Sequence, residues 1–191
     1  MEILKKNEIK KAVAILKSSG IIVYPTETSY GIGCDYTNKR AIKRIYKIKG
    51  RPKGKPFITL VDSVKMAKRY GIINKIAIKL IKKFMPGPLT LIVKGKKSGE
   101  FTFRISSNKI ANELVKGLKK PIVSTSANIH GKKPIYNSKE AIKQFNNKVD
   151  AVIDAGTLKM CKPSTIVKVY DKQIKIIRES AITKKKIINV L

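Results

Sequence analysis

Residues 101–128 read FTFRISSNKIANELVKGLKKPIVSTSAN and predict a strand, a helix and a second strand in succession. Phe101–Ile105 is expected to be the first strand, Ser107–Leu118 the helix, and Ile122–Ser124 a short strand that begins after Pro121. Strands and helices alternate in the same way on both sides of this unit. This alternation predicts an α/β fold.

The N-terminal half continues the alternation. Residues Ile9–Leu16 carry apolar side chains at helical spacing, and Gly20 suits the position just past the end of this helix. Ile21–Tyr24 then reads as a buried strand. A loop is expected over Pro25–Asp35, followed by a helix over Asn38–Ile48. The C-terminal strands Thr165–Tyr170 and Ile174–Arg178 can pair with each other, which makes the predicted sheet mixed and open, with flanking helices.

Length and composition limit the classes of protein that the chain can belong to. With 191 residues, 42% of them hydrophobic, one domain over residues 1–191 is expected. No apolar run approaches the roughly 20 residues that span a bilayer, and the charged N-terminus lacks a signal-peptide pattern. Cys34, Cys161 and the single histidine His130 do not form a zinc pattern or a disulfide framework. A reduced, cytoplasmic setting is expected.

The charge balance is strongly basic. Lys and Arg number 43 against 12 Asp and Glu, which gives a formal charge of +31. The positive electrostatic field of such a charge attracts polyanions, including tRNA, nucleotides and pyrophosphate. Codon bias in an AT-rich genome would also enrich lysine, so charge alone does not assign a function.

Two glycine-containing segments resemble nucleotide-binding motifs but do not match them. Gly31-x-Gly33 follows a strand, yet the third glycine of a dinucleotide motif would fall on Tyr36. Gly50–Lys55 is one residue shorter than a P-loop and follows a helix instead of a strand. Hydrolase sites that need a histidine would have to use His130, which is more typical of a solvated loop residue.

Lys49 and Arg51 form the first candidate anion site. Ile42, Ile45 and Lys49 share one helix face, so Lys49 is expected to emerge at the edge of the sheet. Arg51 can reach the same place, and paired cations there suit phosphate oxygens. In a chain this basic, however, two cations can also lie close together without a function.

The C-terminal strands give a second candidate site. If the hairpin turns at Asp171-Lys172, Thr165 lies opposite Arg178, and Ser164 joins them at the open end. Hydroxyls beside an arginine suit a carboxylate or a phosphate. A β-branched residue opposite a solvated cation is the structural alternative.

Ser124-Thr125-Ser126-Ala127-Asn128 is the third candidate site. Five small residues, four of them polar, follow the end of a strand, where ligands gather in open α/β sheets. A loop with no function would have the same composition.

Taken in order, these motifs resemble the YrdC-type family of L-threonylcarbamoyladenylate synthases, in its short, single-domain form. The resemblance extends from Gly20 to Arg178, and the residues that carry it are Tyr24-Pro25-Thr26-Glu27-Thr28-x-Tyr30-Gly31-x-Gly33, Lys49-x-Arg51-Pro52, Pro86-Gly87-Pro88-Leu89-Thr90, Arg104, Ser124 to Asn128, Ser164-Thr165 and Arg178. The resemblance implies a twisted α/β sheet with a concave, basic face. It also implies that threonine, bicarbonate and ATP give threonylcarbamoyl-AMP and pyrophosphate.

The resemblance further implies the roles of individual residues. Threonine would be held by Thr26, Arg104, Ser124 and Ser164, and ATP by Lys49, Arg51, Lys55, Ser126, Asn128 and Arg178. Lys49 and Arg51 would lie nearest the phosphates and act in catalysis. Mg2+ would accompany the nucleotide without protein ligands of its own. The implied partner is a downstream threonylcarbamoyl transferase, with no membrane contact. The basic surface is a candidate for tRNA contact, and whether tRNA binds directly stays open at this point.

Two other functions remain open. The same basic face could belong to a non-catalytic RNA-binding protein. Alternatively, the chain could be a paralogue that adenylates another carbamoyl substrate, since Leu60 stands where longer relatives carry a threonine-contacting histidine.

Overall fold

The computed structural model describes residues 1–52 and 56–191 of the chain. Its strands are β1 (Glu2–Lys5), β2 (Ile22–Pro25), β3 (Tyr30–Asp35), β4 (Ile58–Leu60), β5 (Leu89–Lys94), β6 (Glu100–Arg104), β7 (Ile122–Ser126), β8 (Ala151–Asp154), β9 (Thr165–Val169) and β10 (Ile174–Arg178). Its helices are α1 (Ile9–Lys17), α2 (Lys39–Lys49), α3 (Val64–Tyr70), α4 (Lys75–Phe84), α5 (Lys109–Leu118), α6 (Ser138–Phe145) and α7 (Lys184–Ile188).

The ten strands in the described ranges form one sheet, in the order β1-β8-β2-β3-β7-β4-β6-β5-β9-β10. The sheet contains parallel pairs (β1 with β8, β2 with β8, β4 with β6, β5 with β9) and antiparallel ones such as β2 with β3 and β9 with β10. The predicted open, mixed α/β sheet with flanking helices is therefore confirmed.

Helices pack against the sheet through apolar faces that the sequence spacing predicts. Ala12, Val13 and Leu16 of α1 are buried, and α1 packs against α5 while both contact β2. Gly117 allows this approach, because a Cβ there would lie 2.7 Å from a Val13 methyl carbon. On α2, Ala41 and Ile45 pack into a second apolar cluster with α6.

The loop predicted over Pro25–Asp35 is wrong in its second half. Residues Tyr30–Asp35 form β3, a fully buried strand that pairs with both β2 and β7. Gly31 and Gly33 weaken the strand pattern in the sequence, since glycine has a low strand propensity. The structure gives Gly33 a packing reason instead, because a Cβ there would lie only 2.2 Å from the Val123 carbonyl oxygen.

The N-terminal segment departs from the prediction in two further places. Glu2–Lys5 adds an edge strand that the sequence pattern does not reveal. The left-handed residue after α1 is Ser19, with φ of 69°, although Gly20 was expected to end the helix. In the described ranges, the helices are all too short or too polar to cross a membrane.

Candidate active site

A cavity of about 380 Å3 opens on one face of the sheet. In the strand register, Ile58 lies opposite Ser124, and Ile92 lies opposite Thr102, so these side chains share that face. All four line the cavity, together with residues from the loop after β2 and from β9 and β10. The volume falls in the range of small-molecule sites.

The segment 155–164 borders the cavity because of the strand order. It connects β8, second from one edge of the sheet, to β9, second from the other edge. It therefore crosses the sheet, and Cys161 and Pro163 line the cavity. This short crossing brings Ser164 to the site.

Thr26 shapes the loop between β2 and β3. Its hydroxyl donates to the Ser29 carbonyl oxygen at 2.7 Å and accepts from the Thr28 amide at 3.2 Å, which closes a tight turn. The side chain is buried yet lines the cavity. Thr26 thus lies at the cavity, and its role in threonine binding stays a prediction.

Arg104, at the end of β6, is held by a residue to which the sequence analysis assigned no role. Glu27 places its Oε1 atom 3.3 Å from Arg104 Nε, and both side chains are largely buried, so the two charges form an ion pair although this contact lacks hydrogen-bond geometry. Ser106 donates a hydrogen bond to the other carboxylate oxygen. Across the described residues, Arg104 has no further charged partner, and it lines the cavity. The Glu27 position is visible in the sequence, but its pairing needs the fold.

Ser124 and Tyr24 lie deep on the same face. Tyr24 is fully buried, and burial raises the pKa of its hydroxyl. The neighbouring Ser124 side chain partly offsets this rise in pKa. Gly33 leaves room for this hydroxyl, because a Cβ there would lie 3.0 Å from it. Ser124 itself is 4% exposed and lines the cavity.

Arg178 and Ser164 meet as predicted, but through a different register. The turn is confirmed, because the Tyr170 amide donates to the Gln173 carbonyl oxygen at 2.8 Å. Arg178, however, lies opposite Ile166 instead of Thr165, because a bulge interrupts β10 between Ile176 and Arg178. One extra residue on the bulged strand moves Arg178 to the cavity face.

The contacts of Arg178 and Ser164 are direct. Arg178 donates from Nη2 and Nε to the Ser164 carbonyl oxygen at 2.7 and 3.0 Å. The Ser164 hydroxyl pairs with that of Thr90 at 2.9 Å. Burial lowers the pKa of Arg178, and the positive charge of Arg104 adds to this effect. The two arginines therefore share one electrostatic environment.

Lys49 lies on the predicted helix face but does not emerge at the rim. Its residue is 2% exposed, and its Nζ atom donates to the carbonyl oxygens of Ser126 and Asn128, both at 2.6 Å. Burial, and secondarily the charge of Arg51, lowers the lysine pKa to about 8. The expected position is wrong because the end of β7 and the loop after it supply the acceptors for this turn of α2.

Arg51 is the cation of this pair that lines the cavity. Its guanidinium donates to the Pro56 carbonyl oxygen at 3.2 Å and lies 5.1 Å from the Phe57 ring centroid. Ser126 also lines the cavity, whereas Asn128 is buried behind it. Lys55, the remaining predicted ATP contact, lies outside the described residues.

The lining is suited to anions. Arg51, Arg104 and Arg178 line the cavity with the hydroxyls of Thr26, Ser124, Ser126 and Ser164, and the described lining contains no carboxylate. The described ranges also hold no group of three His, Cys, Asp or Glu that could bind a metal. An all-protein magnesium site therefore does not fit here, and ligands for Mg2+ would have to come from the nucleotide and water.

Comparison with known proteins places this arrangement in a family. Residues 14–180 match the Sua5/YciO/YrdC family model, described as telomere recombination. The chain belongs to the Sua5/YciO/YrdC family. This confirms the resemblance drawn from the motifs.

Curated members of the Sua5/YciO/YrdC family align over most of the chain. A Methanocaldococcus jannaschii protein, provisionally named a threonylcarbamoyl-AMP synthase, is 38% identical over 94% of this chain and 90% of its own length. A threonylcarbamoyl-AMP synthase of Psychromonas ingrahamii is 34% identical over 86% of this chain and 93% of its own length.

Two solved structures show the family fold over nearly all of the chain. Pyrococcus abyssi Sua5, complexed with L-threonine, matches 100% of this chain with a TM-score of 0.93 and 26% identity. The chain spans 61% of that Sua5 chain. Escherichia coli YciO matches with a TM-score of 0.86 and 28% identity, over 97% of this chain and 98% of YciO.

Proposed function

We propose that this protein is an L-threonylcarbamoyladenylate synthase, a nucleotidyltransferase that converts L-threonine, bicarbonate and ATP to threonylcarbamoyl-AMP and pyrophosphate. The observation that carries the proposal is the cavity lined by three arginines and eight serine and threonine residues, with no carboxylate in its described lining. The likeness to a Sua5 structure complexed with L-threonine supports it.

Threonine would bind at the end of the cavity near Arg104. The guanidinium of Arg104 is buried and oriented by Glu27, so it can bind the threonine carboxylate without first losing much conformational freedom. The hydroxyls of Thr26, Ser124 and Ser164 line the same cavity and would orient the amine and the side-chain hydroxyl.

The nucleotide would lie toward Arg51, Ser126 and Arg178. In the reaction, bicarbonate takes up a proton and gives CO2 and water, and the free amine of threonine adds to CO2 and loses a proton to form a carbamate. A carbamate oxygen then attacks the α-phosphorus of ATP and displaces pyrophosphate. The substrate supplies the nucleophile, so the protein chiefly has to position two anions and offset their repulsion. Three arginines in one cavity meet that requirement. When bound with the nucleotide, Mg2+ would neutralise phosphate charge.

The other ATP residues of the motif set enter the proposal differently. Asn128 and Lys49 lie behind the cavity lining, and their part in nucleotide binding is indirect. Lys55 stays in the proposal on the motif alone.

The product would be passed to a threonylcarbamoyl transferase that modifies tRNA next to the anticodon. The net charge of +31 suits direct contact with tRNA. A cytoplasmic setting is part of this proposal, because ATP and tRNA are both available there.

Pyrophosphate release tests the proposal. Pyrophosphate is expected only when ATP, threonine and bicarbonate are all present, and omission of either co-substrate should return the rate to the ATP-only background. An ATP-independent RNA-binding protein would give no pyrophosphate and would retain RNA binding across sequences.

The match to YciO supports a second candidate, a paralogue that adenylates a different carbamoyl substrate. Escherichia coli YciO carries no assigned function in its name, and it is 32% identical over 90% of this chain. Leu60 is fully buried beside Arg104 in the strand register, and it cannot hydrogen-bond an amino-acid hydroxyl. Replacing threonine by serine, and then by carbamoyl phosphate, separates the two candidates by which substrate supports pyrophosphate release.

A further inference from the structure

Lys49 uses all of its hydrogen-bonding capacity inside the protein. An ammonium group has three donors and no acceptor. Its three acceptors are the carbonyl oxygens of Ser126 and Asn128, each at 2.6 Å, and the side-chain oxygen of Asn128 at 3.4 Å. Because all three donors are used and only 2% of the residue is exposed, Lys49 has no hydrogen-bond donor available for a phosphate.

Asn128 is equally occupied. Its Nδ2 donates to the carbonyl oxygens of Ile129 at 3.0 Å and Lys132 at 2.5 Å. Its Oδ1 accepts from the Ser126 hydroxyl at 2.5 Å and from Lys49. Both polar ends of the amide therefore stabilise the segment 126–132.

Each of the motifs Lys49-x-Arg51 and Ser126-x-Asn128 has one residue in the cavity lining and one behind it. Arg51, two residues after Lys49, and Ser126, two residues before Asn128, both line the cavity. Lys49 and Asn128 do not line it and bond to each other behind it. A backbone hydrogen bond from the His130 amide to the Lys49 carbonyl oxygen, at 2.8 Å, joins the same two segments.

We infer that Lys49 is a positioning residue that ties the end of α2 to the segment 126–132 and thereby places Arg51 and Ser126 around the nucleotide. It acts through this segment and makes no contact with phosphate. To reach the cavity it would have to break three hydrogen bonds and leave buried carbonyl oxygens without partners.

The inference rests on the proposed function only for the identity of the ligand, ATP. Its first test compares Lys49→Met with Arg51→Met in the ligand-free protein. Lys49→Met should speed amide hydrogen exchange in residues 126–132 at least about 10-fold, because opening of that segment becomes easier. Arg51→Met should leave this exchange unchanged and weaken ATP binding at least about 10-fold. Unchanged exchange in Lys49→Met would overturn the inference, whether or not ATP binding is lost.

A second test uses the wild-type protein and holds even where Lys49→Met does not fold. Lysine acetylation, mapped by mass spectrometry, should modify the exposed Lys47 of the same helix while Lys49 stays unmodified, with or without ATP. Acetylation of Lys49 at the rate of Lys47, with protection by ATP, would show a phosphate contact and overturn the inference. Failure of the wild-type protein to bind ATP would instead count against the proposed function, since both ligand-free measurements stand without it.

Discussion

Replacement of Glu27 by glutamine tests whether Arg104 depends on its buried partner. The side chains of Arg104 and Glu27 are 6% and 12% exposed, and 3.3 Å separates Nε from Oε1. Removing one partner of a buried ion pair typically costs about 3–5 kcal/mol, because the other charge stays buried without compensation. Glutamine keeps an oxygen that can accept from Arg104 or Ser106, so Glu27→Gln should fall at the low end, about 3 kcal/mol.

Thermal and urea unfolding measure this cost. For a chain of this length, about 3 kcal/mol lowers Tm by roughly 6–12 °C. Glu113→Gln is the matched control, because Glu113 faces Lys109 at 4.0 Å with side chains that are 42% and 89% exposed. An exposed pair of this kind contributes at most about 1 kcal/mol.

Two outcomes would refute the reasoning about Glu27. If Glu27→Gln changed the free energy of unfolding no more than Glu113→Gln does, Arg104 would not need the carboxylate for its buried position. A changed urea m-value would indicate an altered denatured state and would remove the link to the ion pair.

Three further predictions concern titration, geometry and accessibility. The Lys49 pKa is lowered to about 8 in the folded protein, so between about pH 8 and 10.5 the unfolded state binds more protons and stability should rise with pH. The measured quantity is the difference in unfolding free energy between the wild type and Lys49→Met, which should increase from about pH 8 to 10.5. The increase should stay below about 3 kcal/mol, because the carbonyl hydrogen bonds favour the charged amine. A difference that does not change with pH would contradict a buried Lys49. Arg178→Lys cannot reproduce the two donors to the Ser164 carbonyl oxygen, so the KM for ATP or threonine should rise about 10-fold in steady-state assays; unchanged KM values would contradict its placement. A thiol reagent should label exposed Cys161 and spare buried Cys34, whose pKa burial raises to about 12; equal labelling of both thiols would contradict the buried position of Cys34. Bound substrates should slow labelling of Cys161, and labelling that substrates leave unchanged would contradict its place in the cavity lining.

The elements of the fold were predictable where hydrophobic spacing and caps agree. Helices α2 and α5 lie where the patterns over Asn38–Ile48 and Ser107–Leu118 predict them, and Asn38 and Asn108 cap their first turns. Strand β3 was not predicted, because its glycines are there to allow the close approach of β7. The residues of β7 that they contact lie about 90 positions further along the chain. Edge strand β1 has only four residues, too few for a period to be recognised.

Within the candidate site, spacing identified the right segments but not the destination of each side chain. The face of α2 that carries Lys49 follows from helical geometry, whereas the carbonyl groups that bind its ammonium belong to the end of β7 and the loop after it, from 77 residues further on. Arg178 reaches the cavity through a bulge, which adds a residue that regular pairing cannot anticipate. The pairing of Glu27 with Arg104 joins the loop after β2 to the end of β6 and is set by tertiary packing.

The central claim is that this cavity joins threonine, a one-carbon unit and AMP. Mass spectrometry of the product formed from ATP, threonine and carbon-13-labelled bicarbonate tests it most directly. The account predicts threonylcarbamoyl-AMP that carries one labelled carbon, formed together with pyrophosphate and reduced strongly in Arg104→Met. A folded, ATP-binding protein that forms no such adduct with threonine would contradict it.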